Sequence, residues 1–216
     1  MVEQVEQLAT LNEREQAGYF YARARTRSFR DVSRELFRTH DFGVEAATVS
    51  TAAVFPSAIR SAPVTFSTTI EITGAAAAGL ICEFGDNTNG LKIQIAAGNT
   101  FGACAGNATA ASVDGVDATQ VIAGLGEIGS RHHIVVAVNP GNGKLRAWVN
   151  GVITLRAQAA TPPLLGTQWS SDADGSVGAA QATSSTLRLA ETTAPTDFAL
   201  VAPFRVFARQ LPRHFD

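Results

Sequence analysis

Few residues in this sequence combine the type and spacing that chemistry requires. Trp148 and Trp169 are its two tryptophans. An indole offers a broad apolar face with one polar edge, which suits it to stacking on a sugar ring. Asp86 and Asn89 share the turn GDNTNG (85–90), where side-chain oxygens can meet sugar hydroxyls or, together with Asn87, a cation. Asp172 and Asp174 form a second such group. Calcium takes about six to eight oxygens, more than either turn supplies, so ordinary turn roles are expected for both. His132 and His133 are adjacent, and adjacent residues of a strand point to opposite faces, so they do not chelate one ion together. Isolated His40 and His214 are read as structural or surface residues. No serine sits in a Gly-x-Ser-x-Gly elbow and no glycine-rich loop opens a helix to cradle phosphate. Neither enzymatic activity nor a cofactor or metal is expected.

The elements that must position these residues are mostly strands. VTFSTTIEIT (64–73) alternates, with Val64, Phe66, Thr68, Ile70 and Ile72 on one face. AGLICEFG (78–85) follows, and Asn89-Gly90 is a hairpin signal leading into LKIQIA (91–96). There Leu91, Ile93 and Ile95 share one face while Lys92 and Gln94 share the other. Residues 99–122 are small and turn-rich, with weak strand signals. RHHIVVAVN (131–139), the turn PGNGK (140–144), LRAWVNG (145–151) and VITLRAQ (152–158) form a run of hairpins in which Trp148 faces with Arg146 and Asn150, away from Leu145, Ala147 and Val149. Segment 159–183 reads as a long loop, and STLRLA (185–190) and FRVFARQL (204–211) complete the strands. Short strands joined by hairpin turns, without intervening helices, specify an all-β antiparallel sandwich or jelly roll.

Residues 1–42 differ in texture and are read as an N-terminal helical arm, preceding a sandwich over 43–216. Val2, Val5, Leu8 and Leu11 recur every three positions; Phe29, Val32, Leu36 and Phe37 have the spacing of a helical face. Six arginines (Arg23, Arg25, Arg27, Arg30, Arg34, Arg38) against Asp31 and Glu35 give 18–38 an excess of +4. Arg23, Arg27, Arg30, Arg34, Phe29 and Leu36 are therefore the candidate partner-binding residues, for an acidic protein surface or nucleic acid, with an ordinary solvated helix face as the alternative. The whole chain of 216 residues has a formal charge of −2, so its overall field argues neither for nor against nucleic acid; nucleic acid is not the expected partner. Two cysteines, Cys82 and Cys104, cannot build a disulfide framework; two buried small hydrophobes are expected, with a single bridge as the alternative. No run of 18 uncharged apolar residues suggests a membrane helix, and the polar, acidic opening residues do not read as a secretion signal.

RHHIVVAVNPGNGKLRAWVNGVITLRAQ (131–158) resembles the central hairpins of laminin-G-like, or concanavalin-A-like, jelly rolls, the matching positions being His133, Val135–Val138, Trp148, Asn150 and Gly151. ICEFGDNTNGLKIQI resembles the preceding hairpin and PFRVFARQLPRHF the closing strand, so the resemblance spans about 60–213. It implies a lectin-like head. Glycosidases of this fold carry Glu-x-Asp-x-x-Glu on one strand, and no such triplet occurs here: Glu83 and Asp86 lack a third acid. Calcium-binding members use rim loops, which keeps calcium open as an alternative. The expected function is a non-enzymatic structural protein of a virus particle, such as a bacteriophage capsid decoration protein or a head or tail fibre component, assembled in the host cytoplasm. Its partners would be other virion proteins and copies of itself, a trimer being one arrangement. The alternative is a carbohydrate-binding adhesin module that recognises a surface glycan through Trp148, Trp169, Asp86 and Asn89.

Overall fold

The computed structural model describes residues 39–41, 47–49, 63–85, 90–106, 115–164, 175–179, 189 and 193–207. The chain divides into two compact units, Met1–Thr39 with Pro212–Asp216, and His40–Leu211. All the described residues but Thr39 belong to the second. The helices expected over 1–42 fall outside the described residues, except that Thr39–Asp41 form a strand.

Twelve strands are described: β1 (Thr39–Asp41), β2 (Ala47–Val49), β3 (Val64–Ile72), β4 (Gly79–Gly85), β5 (Gly90–Ala96), β6 (Thr100–Gly106), β7 (Gly115–Val121), β8 (Arg131–Asn139), β9 (Lys144–Val149), β10 (Val152–Gln158), β11 (Gly175–Val177) and β12 (Phe198–Phe207). They form two sheets of six. Sheet 1 runs β1-β12-β3-β8-β9-β10 and sheet 2 runs β2-β11-β4-β5-β6-β7. Every described pairing is antiparallel. The two apolar faces meet in one core, as a jelly-roll sandwich requires.

Alternation explains which side chains meet there. Val64, Phe66, Ile70 and Ile72 of β3, Ile134, Val136 and Val138 of β8, and Leu145, Ala147 and Val149 of β9 line it from sheet 1. Sheet 2 supplies Phe84, Leu91, Ile93, Ile95, Phe101 and Val116. Phe66 and Phe204 from sheet 1 and Phe84 from sheet 2 form a triad with ring centroids 5.9–6.0 Å apart, tying the sheets together at the middle. β12 is irregular around Ala202, and the buried hydroxyl of Thr68 donates to the Ala202 carbonyl at 3.0 Å, satisfying the acceptor that the irregularity frees.

One weak sequence expectation is borne out and two need correction. The weakly marked stretch 99–122 contains two full strands, β6 and β7. The loop expected over 159–183 contains β11, which inserts between β2 and β4. The closing strand begins at Phe198, earlier than residue 204, and is described to Phe207. Of the strand expected over 185–190 only Leu189 is described, as a bend.

Candidate functional site

Sheet 2 turns one face to the core and the other outward, and the outward face is polar. Ser176 of β11 is the register partner of Glu83, Glu83 of Lys92, Lys92 of Cys104, and Cys104 of Asp117. The five side chains make a straight row across five strands. A second row beside it runs Leu80, Gln94, Gly102, Thr119. The alternation of LKIQIA places Lys92 and Gln94 here, as read. It does not reveal that this face is also closed to solvent: Lys92 is 0%, Gln94 3% and Glu83 4% exposed.

Leu189 provides part of that closure. Lys92 Nζ donates to its carbonyl at 2.9 Å, and its side chain packs on Cys104. Gly102 leaves the room for it. A Cβ at Gly102 would stand 3.3 Å from Leu189 Cδ1 and 3.2 Å from Thr119 Cγ2. Towards β7 the face opens, and Asp117 and Thr119 are exposed. Ser176 Oγ is buried and, among the described residues, finds no hydrogen-bond partner. A buried polar atom of this kind is uncommon and costs about 1–3 kcal/mol.

This arrangement can bind polar ligands better than it can cleave them. Glu83 and Asp117 share the face, but three strand spacings separate them, about 14 Å. Paired carboxyls that hydrolyse glycosides stand about 5–9.5 Å apart. Cys82 and Cys104 are free. Cys82 points into the main core and Cys104 to the outward face, so the sheet itself separates them and the bridge left open by the sequence does not form. Burial pushes the Cys104 thiol up to about 12; Asp117 adds to this, while Lys92 and main-chain hydrogen bonding at Leu189 and Lys92 oppose it. Burial, and then Glu83, raise Cys82 well above its ordinary value. Neither thiol supplies a thiolate at neutral pH.

The adjacent histidines separate as expected. His132 is buried and His133 half-buried, and they reach different partners. His132 Nε2 lies 2.9 Å from Ser130 Oγ and its Nδ1 lies 3.3 Å from Asn150 Nδ2. A serine, a histidine and an orienting amide are the parts of a nucleophile, but the hydrogen-bond directions run the wrong way. The His133 amide donates to Asn150 Oδ1 at 2.8 Å. Asn150 must therefore offer its NH2 to His132, which fixes Nδ1 as acceptor and Nε2 as donor. His132 thus gives a proton to the serine oxygen, and Ser130 donates onward to the Gly124 carbonyl at 3.3 Å. The chain locks the β9–β10 turn. It does not activate Ser130.

Trp148 lies on the outward face of sheet 1, opposite Val135 and Ile153, with Arg146 on the same side. It is 7% exposed, so little of its indole meets solvent. Trp169, Asp86, Asn89 and the arm residues Arg23, Arg27, Arg30, Arg34, Phe29 and Leu36 lie outside the described residues. No group of three or more metal-ligating side chains occurs among the described residues. Among them, too, no helix is long and apolar enough to cross a membrane. Glu83, Lys92, Gln94 and Asp117 were not singled out as a site, because only the pairing of four separate strands brings them into register.

No protein-family profile matches the chain, and no curated protein sequence matches it either. Solved structures do. The CBM40 of the Ruminococcus gnavus IT-sialidase, bound to α2,3-sialyllactose, is similar with a TM-score of 0.56 at 11% identity, over 81% of this chain and 91% of that one. The NanB sialidase of Streptococcus pneumoniae, as its K499G mutant, is similar with a TM-score of 0.58 at 9% identity, over 81% of this chain and 26% of that one. The binding domain of botulinum neurotoxin DC, in complex with rat synaptotagmin II, gives 0.54 at 12% identity, over 81% and 40%. The chain thus spans between a quarter and two fifths of the sialidase and toxin chains. At these identities the likeness is one of fold alone, and it defines the class: an antiparallel jelly-roll sandwich.

Proposed function

We propose that this chain is a glycan-binding, lectin-like module that works without catalysis and without a bound ion. The observation that carries this reading is the extent of the likeness: it takes in 91% of a carbohydrate-binding module but only 26% of a sialidase chain. The outward face of sheet 2 supports it. Near β7, where that face opens, it offers an exposed carboxylate (Asp117) and an exposed hydroxyl (Thr119), an acceptor and a donor that sugar hydroxyls pair with. Trp169, Asp86 and Asn89 extend the proposal as further contacts, whereas Trp148, 7% exposed on the other sheet, is too buried to stack on a sugar. A glycan array probed with the full chain tests it, sialylated and neutral sugars both included. Binding that Asp117→Ala and Thr119→Val weaken supports the site; an array without hits removes the reading. Release of sugar from fluorogenic glycosides would make the chain an enzyme, and loss of binding in EDTA would restore calcium.

The place of the module in a virus particle is a second reading. The basic excess of residues 18–38, set against residues 41–216, which carry 10 bases and 13 acids, favours an arm that docks on an acidic neighbour. Deleting residues 1–42 should then abolish self-association in analytical ultracentrifugation while leaving sugar binding intact. A full-length chain that sediments as a monomer at high concentration argues against it.

A further inference from the structure

Charge is distributed unequally between the sheets. The strands β3, β8, β9, β10 and β12 of sheet 1 carry Arg131, Lys144, Arg146, Arg156 and Arg205 against the single acid Glu71. Glu71 is already committed, accepting from Arg131 Nε at 2.6 Å. It also lies far off: the β8 residue paired with Glu71 is Arg131, the one paired with Arg146 is Ala137, and six strand residues measure about 20 Å. That exceeds the ~8 Å over which charge is felt at physiological salt.

At the other end of the same face three cations converge. Arg146 and Arg156 are register partners on β9 and β10, and Lys144 stands two residues before Arg146, opposite Gln158. Leu145 and Ala157 beside them point to the core, so Lys144, Arg146 and Arg156 all point outward. Directly opposed strand residues have Cβ atoms about 5 Å apart, and like charges so placed are destabilising. Arg146 Nη1 is held by the carbonyls of Leu145 and Ala157 at 3.3 and 3.4 Å, which leaves the rest of its guanidinium fork outward. Arg156 is exposed, and among the described residues it forms no ion pair. Keeping an edge strand from pairing with another chain requires one such charge; it does not require two arginines face to face with a lysine alongside.

We propose that Lys144, Arg146 and Arg156 form an anion site on sheet 1, on the opposite side of the sandwich from the sheet 2 face, and that it takes an acidic saccharide bearing sulfate or carboxylate groups. The saccharide class rests on the glycan reading above. Two guanidinium forks side by side match planar or tetrahedral oxyanions, and a flexible ammonium adds a point charge. Three cations suit a short acidic saccharide. A nucleic-acid groove would need a longer basic track and exposed aromatic rings for the bases, and Trp148, on this face, is 7% exposed.

Isothermal titration of the full chain at low salt tests this with four probes: a heparin-derived hexasaccharide, an oligogalacturonate, neutral lactose and a dT6 oligonucleotide. The heparin or galacturonate arm should bind, and the arm that does so names the oxyanion. Arg156→Ala should weaken that binding about tenfold or more, Arg156→Lys, which keeps the charge but not the fork, should recover only part of it, and the salt slope of about 2 for three contacts should fall by about 0.7 with each cation removed. Arg156 is exposed, so folding is not at issue; a melting temperature that does not fall confirms it, and relief of the opposed charges should raise it slightly. Failure of both acidic saccharides to bind overturns the site, and lactose binding lost in Asp117→Ala would then leave the sheet 2 reading standing. Acidic-saccharide binding lost in Asp117→Ala but kept in Arg156→Ala also overturns it, as does dT6 bound more tightly than either saccharide.

Discussion

Lys92 and Leu189, 97 positions apart in the chain, are joined by a buried hydrogen bond of 2.9 Å from the ammonium to the carbonyl oxygen. Through it a lysine in the middle of a sheet is kept out of water. A buried cation is tolerated only where polar partners replace its hydration, and the Leu189 carbonyl is one such partner.

Lys92→Met retains the volume of the stem and removes the charge. It leaves the Leu189 carbonyl without its donor and Glu83 beside it without its register partner's charge. We expect a loss of about 3 kcal/mol, read as a lowered urea midpoint at constant m-value. The double variant Lys92→Met with Glu83→Leu should recover part of that loss, because it removes both polar groups together. A single variant as stable as the parent would contradict the account.

Leu189→Ala should open the outward face of sheet 2 over Cys104 and leave Cys82 in the core. In native buffer a thiol reagent such as Ellman's reagent should label neither cysteine of the parent chain, and should label Cys104 alone in the variant. Labelling of Cys82 at the same rate would mean that the variant unfolds globally and that Leu189 is no local cover.

The thiols also fix the alkaline limit of stability. Both are raised in the folded state, Cys104 to about 12 from an ordinary value of 9.0. The folded chain therefore keeps protons that the unfolded chain loses. Their contribution is complete below about pH 9 and disappears as pH climbs toward 12, at a limiting slope of about 1.4 kcal/mol per pH unit for each thiol. Cys104→Ala should remove one thiol's share of that slope in denaturation curves taken between pH 8.5 and 11. A slope identical in parent and variant would refute the assignment.

Asn150 serves the β9–β10 turn in two ways: it holds a left-handed φ of 53° and bonds both His133 and His132. Asn150→Ala loses the bonds and meets the backbone penalty, about 2–3 kcal/mol together. Asn150→Gly should cost less, since glycine adopts this φ freely. Asn150→Asp should reverse the tautomer of His132, moving the proton to Nδ1, which long-range proton–nitrogen correlation spectra read directly. An unchanged tautomer would show that Asn150 does not set it.

The strands most legible in the sequence are those rich in β-branched and aromatic residues, with one face mostly apolar. β3 and β8 match the expected 64–73 and 131–139 almost residue for residue, because Val, Phe and Ile alternate with polar residues along most of β3 and β8 holds the β-branched run Ile134–Val136. β6, TFGACAG, gives no such signal: glycine, alanine and cysteine do not contrast between faces, and its strand character comes from β5 and β7 on either side. β11 is three residues of GSV, too short for any period, and exists through pairing with β2 and β4.

By itself the sequence determined the alternation, the hairpin turns at Asn142-Gly143 and Asn150-Gly151, and hence an antiparallel sandwich, since these depend on neighbours a few positions away. Only the tertiary structure decided which polar residues stand together. Ser176, Glu83, Lys92, Cys104 and Asp117 come from five separate strands, and Arg146 meets Arg156 across a hairpin whose irregularity between Ile153 and Leu155 shifts the register. Such meetings are set by strand order and register, which arise from packing the whole core at once and leave no mark on any local stretch of chain.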